Sequence, residues 1–139
     1  MSGVSGPEVA RLAGRVLLAA ALLVAGTAHF VDTEEFYAQI PEWFPLDETF
    51  VVLASGLVEL VLGLALLSGW RKVVVGWTVA ALFVVVFPGN ISQYVTGTDA
   101  FGLDTDTRRL VRLFFQPVLV VWALWCTGAW SAWRRSKAG

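Results

Sequence analysis

Four runs of apolar residues, at 12–30, 50–68, 73–94 and 110–130, take up most of the chain. A hydrocarbon layer about 30 Å thick takes about 20 residues of helix to cross. Backbone groups find no water there, so each run must satisfy its own N–H and C=O groups, which selects helix. A closed barrel would need alternating segments of about ten residues and more turns. The pattern therefore predicts an all-α, polytopic membrane protein, a single domain built as a bundle of four transmembrane helices. The connection after the first run is long, and Asp32 followed three residues later by Glu35 reads as a helix start. Phe36, Tyr37 and Ile40 follow before Pro41 stops it, which predicts a short helix on the outer interface, either an anchor or a lid. Residues 1–10 and 131–139 read as polar, mobile cytoplasmic tails.

Composition supports the membrane reading. Of 139 residues 57% are hydrophobic and only 15% charged, against about 25% charged in soluble domains. So few charges could not cover the large relative surface of a small soluble fold. The net charge is −1, and the basic residues sit at the ends of apolar runs, so there is no nucleic-acid footprint. The single cysteine, Cys126, excludes an internal disulfide and a cysteine zinc site, and the single histidine, His29, excludes a histidine cluster. No metal site is expected.

Arg11, Arg15, Arg71, Lys72, Arg134, Arg135 and Lys137 all fall on one side of four spans. The loop between the first two spans carries only acidic charge: Asp32, Glu34, Glu35, Glu42, Asp47 and Glu48. The positive-inside rule then places both termini in the cytoplasm, in a multi-pass protein of the plasma (inner) membrane. Trp70, Trp130 and Trp133 fit the inner aromatic belt and Trp43 the outer one. Arg11 and Arg15 before an apolar run ending in Gly26-Thr27-Ala28 also fit a cleaved signal peptide. Cleavage would leave an odd number of spans and separate the basic ends, so the first run is read as a span.

Ionisable groups inside spans cost about 2.5–3.5 kcal/mol or more each near the bilayer centre, so each needs a reason. Glu59 lies near the middle of the second run, on one face with Ser55, Gly56 and Gly63, and so points into the bundle. Pro88-Gly89-Asn90 interrupts the third run; Pro88 cannot donate to the Val84 carbonyl, so a kink with a spare acceptor is expected. Asn90, Gln93 and Tyr94 then form one polar stripe. In the fourth run Arg109, Arg112 and Gln116 form another, and Pro117 frees the Leu113 carbonyl. His29 closes the first run on the same outer side. Arg112 is the expected partner of Glu59, since pairing is the cheap way to hold a buried carboxylate charged. The cluster reads as interhelical polar glue, as a small-molecule or quinone site, or as a proton relay.

With these motifs placed, the chain resembles the DoxX-like family of small bacterial integral membrane proteins over about residues 13–130. The matching pieces are Ala25-Gly26-Thr27-Ala28-His29-Phe30, Ile40-Pro41 to Pro45, and Ser55-Gly56-Leu57-Val58-Glu59 with Gly63. Phe87-Pro88-Gly89-Asn90-Ile91 and Arg112 through Gln116 with Trp122 continue the order. Two departures stand out. The family usually has a small residue other than glycine where Gly89 stands, and often a proline where this chain has Phe114 and Phe115. The resemblance implies a four-helix membrane bundle that is an accessory to redox or quinone chemistry, and it extends more distantly to sterol-isomerase-like four-helix proteins.

Three functions compete. The first is a redox-associated accessory subunit or a binding protein for quinone or another small hydrophobic ligand. Its pocket in the outer half would be lined by Glu59, Arg112, His29, Asn90, Gln116, Gln93 and Tyr94. The chain has no flavin, haem or iron–sulfur motif, so no cofactor is intrinsic, quinone is the candidate ligand, and electrons would need a redox-enzyme partner. The second is a sterol- or lipid-isomerase-like enzyme using Glu59 and His29 as proton donor and acceptor, which requires the two to lie within reach of one substrate. The third is a non-enzymatic assembly or chaperone-like membrane protein in which the cluster only fixes the fold.

Overall fold

Ser5 starts helix α1 (Gly6–Val31) ahead of the first apolar run. Its hydroxyl accepts from the Glu8 backbone N–H, the Glu8 carboxylate accepts from the Ser5 N–H, and Pro7 sits in the first turn, where its missing donor costs nothing. The computed structural model describes residues 5–98, 100 and 103–138. Residues 6–10, expected as mobile tail, are therefore helix; residues 1–4 and 139 of the expected tails lie outside the described residues.

Helix α2 (Thr33–Phe36) and a 3₁₀ turn (Tyr37–Gln39) follow after one residue. Asp32 makes no side-chain cap, contrary to its expected role. It is also the C-cap of α1, its N–H bonded to the Ala28 carbonyl at 2.7 Å, so its backbone is set by the helix it ends. Helix α3 (Glu48–Ser68) is capped by the Asp47 carboxylate on the Phe50 N–H. The third span is two helices, α4 (Lys72–Val85) and α5 (Phe87–Thr96), and the fourth is α6 (Asp106–Cys126), capped by Thr105. Gly128, at φ +75°, ends that region early, and the remainder turns off as α7 (Ala129–Ala138). The C-terminal tail is thus an amphipathic helix, with Trp130 and Trp133 rings 4.9 Å apart.

Four helical segments, Gly6–Val31, Glu48–Ser68, Lys72–Thr96 and Asp106–Cys126, are long and apolar enough to cross a membrane, and no strand occurs among the described residues. The protein is a four-helix membrane bundle. Its helices form a ring: α1 packs on α3 and α6, α4 packs on α3 and α6, and α5 on α6. Helices α3 and α6 face each other across a diagonal, with no Cα pair within 8 Å among the described residues. Large apolar side chains such as Val24, Leu57, Val61 and Val121 stand outward, more than half exposed, as lipid requires.

Burial divides the bundle by depth. At the end where α1 begins and α6 ends, here the tail end, the core is apolar: Leu18, Leu22, Leu66, Val79, Phe83 and Ala123. Toward the opposite, loop end the buried polar side chains His29, Asn90, Gln93, Arg109 and Gln116 join the buried Val52 and Ala100. The tail half is locked by Trp122, whose indole N–H donates to the Gly14 carbonyl at 2.9 Å across α1 and α6. Trp122→Phe is expected to lower stability by about 1 kcal/mol, the size of an interhelical hydrogen bond in a membrane, read as a lower midpoint in detergent unfolding. An unchanged midpoint would show that this bond does not hold α1 to α6.

Candidate functional site

Helices α1 and α3 approach through glycine. A Cβ on Gly26 would lie 2.9 Å from the Gly56 carbonyl oxygen, and one on Gly56 would lie 2.6 Å from the His29 Cβ, so only hydrogen fits at either position. That contact brings His29 Nδ1 to 3.2 Å from Glu59 Oε2. His29 Nδ1 also lies 2.7 Å from the Ala25 carbonyl. A carbonyl only accepts, so Nδ1 carries the proton and directs it along its own helix. Glu59 Oε2 is then buried with no hydrogen-bond donor aimed at it.

The loop segment covers this pair. Phe36 of α2 stacks on the His29 ring with centroids 3.7 Å apart, the Thr33 hydroxyl donates to the His29 carbonyl, and the Tyr37 and Thr49 hydroxyls bond at 2.8 Å. The short helix expected as an interfacial anchor or lid is in contact with the buried pair.

Gln116 organises the other side. Its amide nitrogen donates to the Phe83 carbonyl at 2.5 Å, and its amide oxygen accepts from Arg112 Nη1 at 2.8 Å. The spare acceptor of the third span was expected at Val84; the helix is interrupted at Val86, and it is the Phe83 carbonyl that takes the bond from another helix. Arg112 does not pair with Glu59, contrary to expectation. Among the described residues no ion pair links them, because α3 and α6 lie on the diagonal of the ring and the Gln116 amide is one turn away on Arg112's own helix.

Asn90, 4% exposed on α5, has a buried Oδ1 with no hydrogen-bond partner. Gln93 bonds the Thr98 carbonyl at 3.2 Å and so closes the end of α5, and Tyr94 is half-buried with no side-chain hydrogen bond among the described residues. Arg109, buried and one turn before Arg112, is not among the seven expected site residues; it clamps the loop by donating to the Leu103 carbonyl and the Asp106 carboxylate.

Helical register sets the depths. Counting from the Trp122–Gly14 contact along antiparallel helices puts Ala25 level with Val111, and counting from Gln116–Phe83 puts Asn90 level with Arg109. Glu59 lies beside Ala25 and His29, so Glu59, Asn90 and Arg112 fall within about one helical turn of a common depth. Chemically the cluster presents two buried acceptor oxygens, one imidazole and one guanidinium between apolar walls. Open grooves elsewhere include one of about 480 Å³ between α1 and α6 and one of about 520 Å³ at the loop end rimmed by Glu34, Glu35, Glu42 and Glu48. Neither is lined by Glu59, Arg112 or Gln116.

A family model described as a domain of unknown function, DUF8561, matches residues 18–127. The chain belongs to that family. The DUF8561 region contains every residue of the polar cluster and ends at Thr127, so the basic helix α7 lies beyond it. No curated protein and no solved structure matches the chain.

Proposed function

We propose that this protein holds a small amphiphilic ligand with hydroxyl donors, of the quinol class, in the loop-end half of its bundle, as a membrane accessory to a redox enzyme. The observation that carries this reading is Glu59 Oε2, buried among apolar helices with His29 spent on Ala25 and no protein donor to satisfy it. A bare carboxylate oxygen in hydrocarbon is costly, and a ligand hydroxyl would satisfy it. Asn90 Oδ1, at a similar depth, is a second acceptor without a partner. The resemblance to DoxX-like proteins points to the same chemistry. The chain binds and orients; electrons pass to a partner that carries a cofactor. The distribution of Lys and Arg fits a bacterial plasma membrane with both termini in the cytoplasm, which puts the cluster in the outer half.

The test is titration of purified protein with a short-chain quinol and its quinone. The quinol should bind more tightly, and Glu59→Gln should weaken it about tenfold, the worth of one hydrogen bond. Equal binding by wild type and Glu59→Gln would overturn the reading.

A second reading, an isomerase of sterol- or lipid-like substrates, draws on the 3.2 Å approach of His29 to Glu59, since two groups that close can touch one substrate. It requires exchange of solvent deuterium into a bound substrate, which a binding protein would not catalyse.

A further inference from the structure

The groove between α1 and α6 in the tail half lies outside the polar cluster. Its walls are Ala10, Ala13, Leu17, Val118, Val121 and Trp125, and it is an open apolar groove of about 480 Å³. Its floor is the Trp122–Gly14 hydrogen bond, so the groove is built by the contact that locks the two helices. The bulky Leu17, Val118 and Val121 at its edges are 61%, 53% and 65% exposed. Such edges hold off a second helix, which packs closely against small residues, but leave a slot for a flexible hydrocarbon chain.

The tail end of this slot is basic. Arg11 adjoins the lining residue Ala10, and its guanidinium reaches the Ser131 hydroxyl at 3.4 Å, which ties α1 to α7. Helix α7, which packs on α6 and α4, carries Arg134, Arg135 and Lys137 at the same end of the bundle, and the Lys137 ammonium lies 6.0 Å over the Trp133 ring. Arg11 Nε is buried without a hydrogen-bond partner. Glu8 is the one carboxylate at this end among the described residues, and it is engaged with the Ser5 N–H. An apolar groove and a cationic end carrying the Trp130 and Trp133 rings match the acyl chain and the headgroup of one ligand.

We infer that this groove is a binding site for an anionic phospholipid, one acyl chain lying between α1 and α6 and the phosphate held by Arg11 and the basic face of α7. The site is separate from the Glu59 cluster and stands whichever leaflet the tail end faces.

Native mass spectrometry of the purified full chain, offered phosphatidylglycerol or phosphatidylcholine of identical acyl chains, tests it. Wild type should retain one phosphatidylglycerol at least about fivefold over phosphatidylcholine, the scale of one cation at an anionic membrane surface. Ala13→Phe, which fills the slot from an exposed position, should lose both lipids. Arg11→Gln with Arg134→Gln and Arg135→Gln should bring the two lipids to parity. Equal retention by wild type would overturn the inference. So would undiminished phosphatidylglycerol on Ala13→Phe of unchanged helix content and melting temperature, or a wild-type dimer that Ala13→Phe dissolves.

Discussion

Gln116→Leu is expected to cost about 3 kcal/mol of bundle stability, the largest effect of any single polar substitution in the chain. Gln116 is 2% exposed and serves two groups at once, the Phe83 carbonyl and the Arg112 guanidinium. Leucine fills a similar volume but leaves an acceptor and a charge without partners in a region with little water. The desolvation cost of the amide itself disappears, which offsets part of the loss. Gln116→Glu separates the two contributions: it keeps an acceptor for Arg112 and removes the donor to Phe83, so its loss should be smaller. Unfolding in detergent, followed by circular dichroism, gives both values. A Gln116→Leu protein as stable as wild type would show that the break at Val86 needs no support from α6.

Gly56→Ala is the second large effect, expected at about 2 kcal/mol, within the usual range for overpacking a close contact. The added methyl would meet the His29 Cβ and, at 3.0 Å, the Gly26 carbonyl oxygen, so α1 and α3 must separate. Separation also moves His29 from Glu59, so the substitution should weaken ligand binding, whereas Trp122→Phe, at the far end of the bundle, should not. Gly26→Ala acts on the same crossing. The double variant should therefore lose less than the sum of the two, because once the helices have moved apart the second methyl meets nothing new. Fully additive losses would mean that the two glycines serve separate contacts.

The four spans were legible because hydrophobic length is a property of the sequence, and the buried polar residues because a charge or amide inside a span stands out against apolar neighbours. Their partners were not legible. Glu59 and Arg112 were matched by depth and sign, and register puts them at similar depths, but pairing depends on which helices adjoin. The order of helices around a ring is set by packing over the whole bundle, and here it puts α1 beside α3 and α6 across the diagonal. The spare carbonyl missed by one residue for a related reason. Pro88 removes the donor to Val84, but the helix is interrupted at Val86 and restarts with Pro88 in its first turn, and the Phe83 carbonyl is the one a neighbouring amide reaches. The first turns of α1 could have been read, since Ser5, Pro7 and Glu8 form a helix-start signature; the polarity of the segment argued for a tail, and capping chemistry decided otherwise. The fate of Arg109 depends on the fold of the loop before α6, whose carbonyl at Leu103 it meets, and no spacing rule supplies that.

On the proposed function, the buried oxygens of Glu59 and Asn90 belong to a ligand. Mass spectrometry of small molecules extracted from protein purified in mild detergent, wild type beside Glu59→Gln, tests it most directly. A hydroxyl-bearing amphiphile is expected near one per chain in the wild type and depleted about tenfold in Glu59→Gln, with phospholipid content the same in both. Identical extracts from two equally folded proteins would contradict it and leave the cluster as polar glue between helices.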